Sequence, residues 1–161
     1  DGEFVCFDNV SFEPKPSQAG GPPIWVGGEG KAALRRTGRR GDGWYPTTRN
    51  PREPINTPER YAAGLADIRR EAEEAGRDPD ALDNAIFAPG YALGAADASS
   101  ERWVFTGSAE QIAEDARAYG EAGVNHILIG FEDTDLQHVL DSIEEFATEV
   151  MPLVGYNDVI D

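Results

Sequence analysis

The chain has 161 residues, 30 acidic against 14 basic side chains, and a formal net charge of −16. That length allows one ordinary domain or a piece of a larger one, and the charge argues against a nucleic-acid backbone or an anionic membrane as the main partner. Hydrophobic residues at 40% suffice for a packed core. A lone cysteine, Cys6, excludes an intrachain disulfide and any cysteine-based zinc cluster. No apolar run approaches the roughly 20 residues of a membrane span, and the polar, acidic start is unlike a signal peptide. A soluble, cytoplasmic chain is expected. Of the basic residues only Lys15 and Lys31 are lysine. Excess carboxylates with so little lysine suit a surface hydrated in concentrated salt, so a halophilic origin is expected. A GC-rich genome would leave the same texture.

In chain order, Phe4, Cys6, Val10 and Phe12 alternate with polar residues around Asp8-Asn9 and predict a β-hairpin. A proline- and glycine-rich loop leads to Ile24-Trp25-Val26, a short apolar run closed by Gly27-Gly28, which reads as a buried strand. A helix is expected from Lys31 to about Arg39. Gly43-Trp44-Tyr45-Pro46 suits a second strand. Thr57-Pro58-Glu59 supplies an N-cap, a first-position proline and a first-turn acid. Tyr61, Leu65, Ile68, Ala72 and Ala75 then share one helix face, up to a stop at Gly76. Ala85 to Leu93, an apolar segment interrupted by Pro89 and Gly90, reads as a strand with irregular ends.

Ser108 and Gln111 form a capping box ahead of Ile112, Ala116, Tyr119 and Gly123. His126-Ile-Leu-Ile-Gly130 is the cleanest strand. Thr134 and Gln137 repeat the capping-box pattern before a face made by Leu136, Val139, Leu140, Ile143, Phe146, Ala147 and Val150, ended by Pro152. Strands alternating with helices predict a parallel α/β sheet of four strand–helix units behind the hairpin. Residues 1–154 are expected as one unit and 155–161 as a loose tail.

The candidate site lies where a strand meets a helix. Gly27, Gly28, Glu29 and Gly30 form a loop whose backbone N–H groups, at a helix N-terminus, suit a phosphate; a tight turn needs the same glycines for backbone freedom alone. Lys31 adds charge or is a solvated helix residue. Glu29 opposes an anion if it points inward. Trp44 and Tyr45 end the next strand, where aromatics can wall a planar ring; barrel core is the equal alternative for Trp44, and Trp25 is expected in the core. Arg35, Arg36, Arg39 and Arg40 are expected to form surface ion pairs. His126 and His138 lack a metal-ligand partner at useful spacing and are expected to be structural. Glu132, just beyond the last strand, reads as a solvated loop acid. The chain contains no Ser-His-Asp, Walker or zinc pattern, and no catalytic residue is assigned.

Phe12-Glu-Pro-Lys-Pro16, Pro23-Ile-Trp-Val-Gly-Gly28, Ala32-Ala-Leu-Arg-Arg36, Gly41-Asp-Gly-Trp44, Gly107-Ser-Ala-Glu-Gln-Ile112 and Ala122-Gly-Val-Asn-His-Ile-Leu-Ile129 occur in an order that resembles the luciferase-like monooxygenase family. That family includes bacterial luciferase and the coenzyme F420-dependent oxidoreductases, and the likeness runs over roughly residues 2 to 154. It implies a TIM-type (β/α)8 barrel with FMN or F420 at the C-terminal ends of its strands. It also implies that Gly27, Gly28, Glu29, Gly30, Lys31 and Trp44 lie at the cofactor. The family often carries a hydroxyl residue where Gly30 stands, so a side-chain phosphate bond is missing here.

Such barrels run to about 250 residues, so the chain is expected to be a partial barrel, the second half. A lone half-barrel exposes two sheet edges and an apolar face. A separate N-terminal half or a homodimer partner is therefore expected, with little or no activity from the chain alone. The alternatives are a non-catalytic half-barrel module, or a truncated or proteolysed enzyme, since the chain starts at Asp1 rather than Met.

Overall fold

The computed structural model describes residues 2–11, 13–94 and 102–155. Four parallel strands form one sheet in the order β1-β2-β3-β6: β1 is Trp25–Gly27, β2 Gly43–Tyr45, β3 Asp83–Pro89 and β6 His126–Gly130. The connections carry helices α1 (Lys31–Arg40), α2 (Pro58–Glu74) and α3 (Ala109–Glu121). Between β3 and α3 the chain makes a small two-stranded parallel pair, β4 (Ala92–Leu93) and β5 (Thr106–Gly107). The expected α/β order of strand–helix units is therefore formed.

Local chemistry explains the boundaries. The Thr57 hydroxyl accepts the Arg60 amide, and Pro58 opens α2 where its missing N–H is harmless. That helix closes just before Gly76, whose φ is +70°. The Arg77 amide returns to the Ala72 carbonyl and the Gly76 amide to that of Glu73, the paired bonds of a Schellman turn. The Arg77 side chain then donates to the Gly38 carbonyl at 2.7 Å, satisfying the end of α1. The capping box at Ser108 and Gln111 is complete in both directions.

The core lies between one face of the sheet and the helices. Trp44, Tyr61, Ile68, Ile86, Ile112 and Tyr119 are fully buried there. Trp44 stacks on Tyr61 with ring centroids 4.8 Å apart. The two buried phenols find acceptors, Tyr61 at the Ala85 carbonyl and Tyr119 at that of Ile55. Helices α1 and α2 touch at Gly38, where a β-carbon would fall 2.5 Å from the Ile68 carbonyl oxygen.

Three expectations are corrected. The N-terminal hairpin does not form: residues 2–11 contain no strand, and Phe4, Val5, Phe7 and Val10 are exposed. Alternation specifies a strand only when something takes its apolar face and its backbone groups, and among the described residues no strand pairs with this segment. Phe12 lies outside the described residues. The last long helix, α4 (Leu136–Glu145), is capped by Asp135, which accepts the Gln137 amide, and not by Thr134. It also passes through a π-helical segment, Phe146–Val150, into a final turn, α5 (Met151–Val154), before Gly155 at φ +86°. Pro152 falls in the first turn of that segment, where proline needs no donor. The apolar stripe of α4 is present but uncovered. Leu136, Leu140 and Ile143 are exposed, and burial returns only at Val150. The strand that precedes it, β6, is the edge of the sheet.

Candidate functional site at the C-terminal ends of the strands

Because all four strands run parallel, their following loops gather at one end of the sheet. In open and closed parallel α/β sheets this is the end where ligands bind. The β1–α1 loop supplies Gly28, Glu29 and Gly30. Gly28 adopts φ +104° and packs so that a β-carbon would meet that of Ala33 at 3.1 Å, so this glycine serves the turn itself. Gly30 has an ordinary extended backbone as the N-cap of α1 and offers no side chain to cap it. The first turn of α1 holds no acid. The amides of Ala33 and Leu34 both donate to the Gly30 carbonyl, and the amides ahead of them open the positive end of the helix dipole toward the loop.

Glu29 does not point into that helix end. Its carboxylate accepts the Thr47 amide at 2.7 Å and the Asn50 side-chain amide on the other oxygen. It thereby ties the β1–α1 loop to the β2–α2 loop. A second carboxylate, invisible to sequence reasoning, stands closer: a β-carbon on Gly30 would lie 2.7 Å from Glu53 Oε2. Only folding of the β2–α2 loop brings it there, and the Pro-Arg-Glu-Pro stretch around it carries no signal. Lys31 is exposed at the first position of α1.

The expectation that Trp44 walls a ring is corrected. Its side chain is fully buried on the helix-facing side, and its indole N–H donates to the Gly28 carbonyl at 2.9 Å. It supports the loop from behind. The open side of the sheet is aromatic through other residues. Tyr45 stacks with Phe87 at 5.8 Å and lies 6.3 Å from Trp25, which is half-buried on this face rather than in the core. At the opposite end of the strands, Trp25 Nε1 donates to Asp83 at 2.9 Å, reaching over Gly43, and His126 sits 3.9 Å from the same carboxylate. This is a structural layer away from the loops, and a structural role is what the sequence predicts for His126.

Arg39 pairs with Glu71 and Glu74, the expected surface ion pairing, while Arg35, Arg36 and Arg40 are exposed. His138 lies 3.5 Å from Asp133. Glu132 is exposed in the loop after β6. Beside it, Tyr91 packs against Phe131 and Phe146. Its hydroxyl is buried without a partner, and its pKa is pushed up to about 12 by burial and then by Glu145 and Glu149. Among the described residues no group of three His, Cys, Asp or Glu side chains could hold a metal, and no helix is long and apolar enough to cross a membrane. A cavity of about 510 Å³ lies elsewhere, on the helix-facing side of β6, lined by residues such as Ile127, Ile129, Phe131, Phe146 and Met151.

Parallel strand–helix units with this loop end define an α/β chain of the kind that forms part of a (β/α)8 barrel. The family model for luciferase-like monooxygenases matches residues 1–98, and the chain belongs to that family. Among curated relatives, it is 38% identical over 76 residues to a phthiodiolone/phenolphthiodiolone dimycocerosates ketoreductase of Mycobacterium kansasii, covering 47% of this chain and 19% of that protein. It is 29% identical to an FMNH(2)-dependent dimethylsulfone monooxygenase of Pseudomonas fluorescens, over 95% of this chain and 51% of that protein.

Among solved structures, an F420-dependent secondary alcohol dehydrogenase in complex with an F420-acetone adduct superposes with a TM-score of 0.71 at 18% identity. The match covers 98% of this chain and 55% of that one. The monooxygenase RslO1 from Streptomyces bottropensis gives 0.67 at 18% identity, over 94% and 54%. These structures show the fold. The chain spans about half the length of those structures, and a fifth to a half of the curated relatives.

Proposed function

We propose that this chain supplies the C-terminal half-barrel of a flavin- or F420-dependent oxidoreductase or monooxygenase. In this reading, residues 1–154 form the domain, residues 155–161 a tail, and Gly27, Gly28, Glu29, Gly30 and Lys31 part of the cofactor phosphate site. One observation carries it: an uncapped helix N-terminus behind a glycine turn, at the loop end of a parallel sheet whose open face presents Tyr45 and Phe87. Backbone donors suit a phosphate there and the aromatic face suits a planar ring. Glu29 fits because it is turned toward Thr47 and Asn50; Glu53 must swing away. The cofactor, when bound, supplies the redox chemistry. This chain's residues hold and orient it. Trp44 enters only as the support behind Gly28.

Edge strands β1 and β6, at the two ends of the sheet, the uncovered stripe of α4 and the cavity beside β6 support a partner over these surfaces, a separate N-terminal half or a second copy of the chain. The same uncovered surfaces favour a second reading, a non-catalytic half-barrel whose role is interaction. Titrating the purified chain with FMN and with F420, followed by absorbance and cofactor fluorescence, separates the two. Saturable binding of either is the expected result. Absence of binding by both leaves the interaction module.

A further inference from the structure

Arg49 lies on the β2–α2 loop, at the same end of the sheet as the glycine turn. Its guanidinium is half-buried and rests over the Trp103 ring, 5.0 Å from the centroid. Nη2 donates to the Gly90 carbonyl at 3.3 Å. Gly90 follows the last residue of β3, has φ +79°, and has no room for a side chain: a β-carbon would fall 2.7 Å from Nη2 and 2.8 Å from Nη1. The backbone of one strand end and the indole of the β3–α3 connection thus form a cradle for a single cation. The loop carrying it is fixed from the other side, since Glu29 holds Thr47 and Asn50. In a chain with 30 acidic residues, this guanidinium has no carboxylate within ion-pair distance among the described residues, and one long bond to a carbonyl leaves most of its N–H donors unused.

A planar fork of donors, partly desolvated and held over an aromatic ring, is matched to a carboxylate or phosphate. We propose that Arg49 is an anion-binding residue of this site: it takes two oxygens of a phosphate or carboxylate carried by the bound ligand, at the same end of the sheet as the Gly28–Gly30 turn. The inference rests on the proposed cofactor-binding role for the location of the site, and concerns a side chain which that role does not use. The anion belongs either to the cofactor or to the substrate.

The test is a titration of the 15N-labelled chain, following the side-chain Nε–Hε resonance of Arg49, assigned by its absence in Arg49→Gln. Probes are inorganic phosphate, succinate, FMN and riboflavin, with sodium chloride matching the ionic strength. Expected is a saturable shift with phosphate or succinate but not with chloride, and an affinity for that anion reduced about tenfold in Arg49→Gln. If FMN moves the resonance, riboflavin does not, and bound FMN blocks the phosphate response, the anion is the cofactor's. If inorganic phosphate or succinate still moves it with FMN bound, the anion is the substrate's. A resonance unmoved by every anion, or equal anion affinities in wild type and Arg49→Gln with only the unfolding midpoint lowered, overturns the proposal and leaves a structural clasp on Trp103. Failure of FMN and riboflavin alone to bind counts against the cofactor reading, because the two small anions test Arg49 separately.

Discussion

The indole N–H of Trp44 donates to the carbonyl of Gly28 across 2.9 Å, joining the end of β2 to the turn after β1. One fully buried side chain therefore sets the height of the loop that opens α1. In Trp44→Phe the ring contact with Tyr61 is largely kept but the Gly28 carbonyl loses its donor. The expected cost is about 1–3 kcal/mol in urea unfolding, with weaker binding of any phosphate-bearing cofactor. Unchanged stability and cofactor affinity would show that the bond positions nothing.

Two helical glycines should respond in opposite directions. A β-carbon at Gly64 would sit 2.5 Å from the Trp44 ring, whereas one at Gly120 meets nothing within 4 Å. Gly64→Ala is expected to lose about 1–3 kcal/mol by overpacking. Gly120→Ala is expected to gain about 0.5–1 kcal/mol through helix propensity. Thermal unfolding of the two variants side by side checks both signs.

The two carboxylates near the α1 N-terminus also differ in role. Glu29 holds the neighbouring loop, so Glu29→Ala is expected to lower FMN or F420 affinity by loosening Thr47 and Asn50. Glu53 only occupies space beside Gly30, so Glu53→Ala is expected to raise that affinity by removing like charge. Equilibrium titration distinguishes them; a rise in both variants would mean that Glu29 acts by repulsion.

Asp115 organises the turn before α3. Arg102 donates to both of its oxygens, at 2.7 and 2.6 Å, and the amide of Phe105, a buried residue at φ +62°, donates to it at 2.8 Å. The same hydrogen bond raises the pKa of Arg102. Removing the acid leaves the half-buried guanidinium with the Thr106 carbonyl as its near acceptor and the Phe105 amide without one, so Asp115→Ala should cost about 1–3 kcal/mol. A loss under about 1 kcal/mol would mean that the turn stands without it.

Stability should fall in alkali. Burial raises the phenol pKa values of Tyr61 and Tyr119 well above 10.0, and that of Tyr91 to about 12. Raised folded-state values mean that the contribution is whole below the unfolded pKa near 10. It is lost as pH climbs from there through the folded values, because the unfolded chain releases its protons first. On the acid side the sign reverses. Glu59 and Glu110 are lowered by their own helix-start backbone amides and then by the Thr57 and Ser108 hydroxyls. Their contribution is present above the ordinary carboxylate value and disappears as pH falls through the lowered ones. Urea midpoints across the pH range read both limbs.

The order of strands and helices was legible because it depends on short-range chemistry. The Thr57 cap, the Ser108–Gln111 box and the run from His126 to Gly130 each carry their structure within a few residues. Sequence likewise marked the Gly28 turn and the apolar stripe of α4. What it could not settle was which apolar pattern finds a partner. The hairpin residues Phe4 and Val10 and the α4 residues Leu136 and Leu140 read like buried positions, yet they lie exposed, since burial belongs to the neighbour as much as to the side chain. The site divides in the same way. Local sequence set the glycines at the helix start; tertiary structure alone put Trp44 behind the turn, Glu53 beside Gly30 and Arg49 on Gly90. Those contacts join residues from 16 to 41 positions apart, and no local periodicity encodes them. Length and charge, by contrast, were properties of the sequence from the start. They describe a strongly acidic chain with roughly half the extent of the barrel enzymes it resembles, and the structure adds which surfaces that half leaves uncovered.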